Sequence, residues 1–109
     1  MDAREQQLQW RQRAEDAPAL VRLLELAQTR DSGQAGRVAR FLAGICNGQA
    51  FPFDLFELRA LDVDIGDDML LCLDALRWAT SDLDKLVPNG DERFKAVIAL
   101  WGLKWPEGA

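Results

Sequence analysis

The chain has no histidine and no tyrosine, and only two of its 109 residues are cysteine. Histidine is the side chain whose ordinary pKa lies near neutrality, so its absence removes the commonest general base. A Ser-His-Asp or Cys-His nucleophilic site cannot be assembled within such a chain. A zinc site would need both cysteines plus carboxylates, a rare ligand set. Cys46 and Cys72 form no CxxC pair, and each lies among apolar residues in a helical pattern. That placement predicts buried free thiols in a reducing compartment. No apolar run approaches the ~20 residues of a membrane span. The N-terminus, MDAREQQLQWRQR, has charges and glutamines where a signal peptide needs an apolar centre. No glycine-rich phosphate loop is present either. These absences predict a cytoplasmic protein that is not an enzyme, with no catalytic residue, no metal, no cofactor and no membrane partner.

What is present reads as helix throughout. Apolar residues make up 49% and charged residues 28%, enough of both to build a core and keep it in water. No segment alternates as a strand would, and none repeats. The expected fold is all-α, a compact single-domain bundle of five to six short helices. Residues 1–15 are expected to be a weakly ordered or docking N-terminal helix, because Leu8 and Trp10 share no helical face. Residues 16–109 form the helical domain. Asp16-Ala17-Pro18 predicts a helix start, with Pro18 in the first turn. Leu20, Leu23, Leu24 and Ala27 make one face. Ser32 is the expected N-cap of the next helix, where Val38, Phe41, Leu42 and Ile45 form a stripe.

The segment NGQAFPFDLFELRALD, residues 47–62, joins two helices. Asn47-Gly48 supplies a residue for a left-handed C-cap. Pro52 holds Phe51 extended. Asp54 with Glu57 has capping-box spacing, and Phe53 with Leu58 has staple spacing. Leu55, Leu58 and Leu61 are expected to face the core. Beyond it, Ile65, Met69, Cys72, Leu73 and Leu76, broadened by Leu70 and Leu71, predict the central helix. Ser81-Asp82-Leu83-Asp84 begins one more turn that Pro88 ends. Asn89 with Glu92 repeats the capping-box spacing, and Phe94, Val97, Ile98 and Trp101 form the last stripe.

The net charge of −5 is unevenly distributed. Residues 1–46 hold seven arginines against six acids, whereas residues 47–109 hold six bases against twelve acids. An acidic half keeps a protein soluble or attracts a basic partner. The candidate partner-binding acids are Asp62, Asp64, Asp67, Asp68, Asp74, Asp82, Asp84, Asp91 and Glu92. Asp67 and Asp74, seven apart on one helix, stand roughly 10 Å apart along the axis. That is close to three phosphate steps of a DNA strand, so mimicry of nucleic acid competes with plain solubilising charge. The run DVDIGDD has calcium-loop flavour, but counted from Asp62 it puts Gly66, Asp67 and Leu73 where an EF-hand needs a ligand, a glycine and a glutamate. Helix capping is the simpler account of it. Trp78, Trp101 and Trp105 are candidate aromatic contacts for a partner, with core packing as the alternative. Arg30, Arg37 and Arg40 could meet phosphates, and the helix pair around Gly33 has the outline of a helix-turn-helix. A sequence pI of about 4.6 weighs against a DNA reader.

Through NGQAFPFDLFELRALD, followed by Asp68, Leu73 and Leu76-Arg77, the chain resembles a family of small uncharacterised proteobacterial proteins, often encoded on plasmids and integrative mobile elements. The likeness runs from about Gly36 to Arg77 and resumes at NGDERFKAVIALWG. The sequence departs from the family pattern after Arg77, at Trp78-Ala79-Thr80. The shared motif carries no catalytic residue. The resemblance implies a mobile-element accessory protein, a class in which some members inhibit host defence complexes such as CRISPR effectors. The expected function is therefore a non-enzymatic protein-binding accessory, in its sharp form an anti-CRISPR-like inhibitor acting through the acidic surface. Its partner would be another protein or a nucleoprotein complex with a basic nucleic-acid-binding surface. The alternative is a nucleic-acid-associated regulator using Arg30, Arg37 and Arg40. A monomer and a homodimer are both open.

Overall fold

The structure, a computed structural model, describes residues 3–79 and 82–105, with side chains from Asp16 onward. Among the described residues four α-helices carry the fold: α1 (Ala3–Thr29), α2 (Gly33–Cys46), α3 (Val63–Trp78) and α4 (Gly90–Leu100). Two short 3-10 helices, η1 (Leu55–Ala60) and η2 (Leu83–Leu86), lie between them. No strand occurs among the described residues. The all-α bundle follows the periodicity of the sequence, although its first helix is long.

That first helix overturns the expected start at Asp16. It runs through Pro18 without a break. A proline inside a helix forfeits one backbone bond and crowds the preceding turn. Here Ala19, Leu20, Leu23, Leu24 and Ala27 on the same helix are all buried. Each fully buried leucine contributes about 2 kcal/mol, which offsets the cost of the proline. The side chains of Leu8 and Trp10 lie outside the described residues, as does Ser81.

The C-terminal half of α1 is the centre of the bundle, because α2, α3 and α4 all pack on it. The expected central role of α3 is therefore corrected. α3 buries Met69, Cys72 and Ala75 against α1, while Leu70 and Leu76 stay exposed. Val38, Phe41 and Leu42 of α2 and Phe94 and Val97 of α4 complete the core. Across its surface Arg22 of α1 donates two hydrogen bonds to Asp68 of α3, Nε to Oδ2 at 3.0 Å and Nη2 to Oδ1 at 2.7 Å.

The caps follow the sequence in part. Ser32 Oγ accepts from the Ala35 amide at 3.1 Å, as expected of an N-cap. Asp54 Oδ1 accepts from the Phe56 amide at 2.9 Å. Glu57, however, does not close a capping box; it pairs with Arg40 at 2.6 Å. Asn47 is extended rather than left-handed. Its side-chain oxygen accepts from the amides of Gln49 and Ala50, which turns the chain without a positive φ. Asn89 also departs from its expected role. Its side chain caps nothing, and its φ of 56° supplies the left-handed step between η2 and α4. Trp101 donates its indole N–H to the Ala27 carbonyl at 2.8 Å, tying the end of α4 to α1.

Candidate functional site

The nine acidic residues singled out by sequence do not form one face. Asp62, Asp64, Asp67 and Asp68 gather at the N-terminal end of α3. Asp82, Asp84, Asp91 and Glu92 lie on η2 and the first turn of α4. In the first group the fold uses two carboxylates itself. Asp68 is held by Arg22. Asp62 exchanges hydrogen bonds with Gln34, whose amide donates to Oδ2 at 3.2 Å and whose carbonyl accepts from the Asp62 amide at 2.7 Å. Asp74 does not extend a phosphate-like array from Asp67. Only 16% of its side chain is exposed, and its Oδ1 accepts from the Trp78 indole and pairs with Arg77.

The second group converges. Asp82, Asp84 and Asp91 line a cavity of about 130 Å³ together with Ile45, Cys46, Leu83 and Phe94. No cation of the described residues pairs with Asp82 or Asp84, and Asp91 has only the exposed Lys95 at 2.9 Å. Gly90 makes the convergence possible. Its α-carbon lies so close to the Asp84 carbonyl that any side chain there would overlap it, so η2 folds flat against the start of α4.

Cys46 stands among these carboxylates. It is exposed, against the expectation of two buried thiols, because it is the last residue of α2 and lies past the end of the core. Partial burial raises its pKa, and Asp84, Asp91 and Asp82 raise it further, while Lys95 opposes them. The shift favours the protonated thiol, the less nucleophilic form. Cys72 is buried, and desolvation, with help from Asp16 and Asp68, pushes its pKa up to about 12.

Ile45 also lines a second cavity, of about 160 Å³ and almost wholly apolar. Its floor is built from Phe41, Phe51 and Phe53, with Phe41 and Phe53 meeting edge to face at 5.5 Å. Gly44 and Gly48 add no side chain to fill it. Leu55 and Leu76 form the rim, 67% and 49% exposed. Both were expected in the core. Phe53 takes the core position beside Phe41, which leaves Leu55 outside, and Leu76 belongs to the last turn of α3. The sequence reading thus missed this groove. Its signal was the glycine pair Gly44 and Gly48 at the end of α2, ahead of Phe51 and Phe53.

The other candidates are dispersed. Arg40 is engaged by Glu57, Arg37 is half-buried with its Nε out of solvent, and Arg30 lines a separate cavity with Gln28, Asp31 and Leu100. Trp101 is spent on α1, and Trp78 lies under the Arg77 guanidinium, 5.3 Å from the ring centre. Trp105 is half exposed and packs edge-on against Phe51 at 4.7 Å between ring centres. No helix among the described residues is long and apolar enough to cross a membrane.

No match to the chain was found among curated proteins or among solved structures. A family model matches residues 17–102, which span α2, α3, α4 and the core-forming part of α1, and the chain belongs to that family, DUF7673, a family of unknown function.

Proposed function

We propose that this protein is a non-enzymatic binding module that engages another protein through the acidic side formed by η2 and α4. The observation that carries the reading is the gathering of Asp82, Asp84 and Asp91 around one cavity, with no cation of the described residues paired to Asp82 or Asp84. Like charges held together cost folding energy unless they are solvated or met by a partner. A net charge of −5 favours a basic partner over a second copy of the same chain.

The resemblance to a family of proteobacterial proteins often encoded on mobile DNA supports an accessory role, which we propose to be cytoplasmic. In the anti-defence form of this reading, the carboxylates occupy a basic groove that an effector uses for nucleic acid. The nucleic-acid regulator is the weaker reading, because Arg40 is already committed to Glu57. The test is a pull-down from a bacterial host with the wild-type chain and the D82N/D84N/D91N variant as baits. Partners captured by the wild type should be lost by the variant. Equal recovery of the same partners by both baits would sink the acidic-side reading.

A further inference from the structure

The apolar groove and the acidic cavity are neighbours. Ile45 lines both, with Cys46 on the acidic side and Gly48 on the apolar side. A ligand that fills one is therefore placed beside the other. The apolar groove, at about 160 Å³, is close to the ~150 Å³ that takes a benzene-sized group. It has room for one large side chain and little more. Beside it stand three carboxylates, two of them with no cation of the described residues to meet them.

We propose that this acid-rimmed groove binds a basic protein segment, which inserts one large apolar side chain between Leu55 and Leu76 and sets an arginine or lysine beside it against Asp82, Asp84 and Asp91. The inference rests on the protein-binding reading and gives its ligand chemistry. Charge decides the occupant. Both rim leucines and the three carboxylates come from residues 47–109, which hold twelve acids against six bases, so an acidic or neutral segment would meet repulsion or leave the carboxylates without a partner. Arginine suits the acidic side best, because its planar fork can meet a carboxylate with two hydrogen bonds. The exposed Lys95 contact to Asp91 is a surface pair and is easily exchanged. The chain's own residues 8–13, LQWRQR, have the same chemistry, so a second copy is the competing occupant.

Three labelled peptides test this: one with a phenylalanine flanked by arginines, one with the phenylalanine flanked by glutamates, and one with an alanine flanked by arginines. Fluorescence anisotropy should give the first peptide at least a tenfold lower Kd than either of the others. That peptide should also slow alkylation of Cys46, the one exposed thiol of the two. D82N/D84N/D91N and L55E/L76E should each weaken it tenfold. The leucine variant adds negative charge, so its loss reports the apolar contact alone. D64N/D67N removes charge at the other end of α3 and should bind as the wild type does.

Equal binding of the alanine peptide, or an equal loss in D64N/D67N, would reduce the effect to general charge attraction and overturn the proposal. A dimer in sedimentation that the peptide cannot disperse would assign the groove to a second copy and overturn it as well. If the peptides fail while D82N/D84N/D91N still loses its partners in the pull-down, the ligand chemistry is wrong and the binding reading stands. If both fail, both fall.

Discussion

The carbonyl oxygen of Phe51 sits against the α-carbon of Gly44, where an added methyl group would lie 2.9 Å from it. This contact lets the chain fold back over the end of α2 and build the apolar groove.

Alanine usually stabilises a helix by about 1 kcal/mol over glycine. At Gly44 the sign should reverse. The methyl group would press on a backbone atom that cannot rotate away, and overpacking of this kind costs about 1–3 kcal/mol. Gly66 of α3 has nothing within 4 Å of the corresponding position. Gly66→Ala is therefore expected to raise stability by about 0.5–1 kcal/mol, while Gly44→Ala lowers it. Urea unfolding of the two variants beside the wild type measures both.

Gly90→Ala should be the more damaging change, because the new methyl would overlap the Asp84 carbonyl. It should open η2 away from α4 and speed the alkylation of Cys46 by separating its sulfur from Asp82 and Asp84. A melting curve and an iodoacetamide time course check the two parts independently.

The thiols should differ sharply in reactivity. Cys46 is exposed but held protonated by partial burial and by Asp84, Asp91 and Asp82. D82N/D84N should lower its pKa toward the ordinary value and accelerate its alkylation several-fold at pH 8. Cys72 should stay unmodified until the protein unfolds, which mass spectrometry of the alkylated chain would show.

Cys72 also predicts a pH dependence. Its folded pKa is about 12 against an ordinary 9.0. The neutral thiol is favoured in the fold, so this stability is fully present below pH 9 and is lost as pH rises toward 12. The slope contributed by one such group approaches about 1.4 kcal/mol per pH unit. Cys72→Ala should lower stability by leaving a small hole in the core, yet flatten the decline between pH 9 and 11. Denaturant titrations of both proteins at matched pH measure the difference, and parallel declines would contradict it.

The core was legible because helical spacing reports burial directly. Leu20, Leu23, Leu24, Val38, Leu42 and Val97 are each at most 1% exposed, and each lies on a stripe visible in the sequence. The groove was not legible, because periodicity names a face of a helix without saying where the neighbouring helix ends. Leu76 has the right phase for the core but lies in the final turn of α3. The single long α1 was hidden for a related reason, since Pro18 is tolerated only when tertiary packing outweighs it. The acidic cavity needed the fold itself, as Asp82 and Asp84 meet Cys46 only when η2 returns to the end of α2.

The most direct test is hydrogen–deuterium exchange of the chain with and without a partner captured by the wild type and lost by D82N/D84N/D91N. The groove and acidic cavity together predict protection at residues 44–48, 53–55 and 82–91. Protection confined to residues 30–40, or to the N-terminal end of α3 at residues 62–68, would contradict the account.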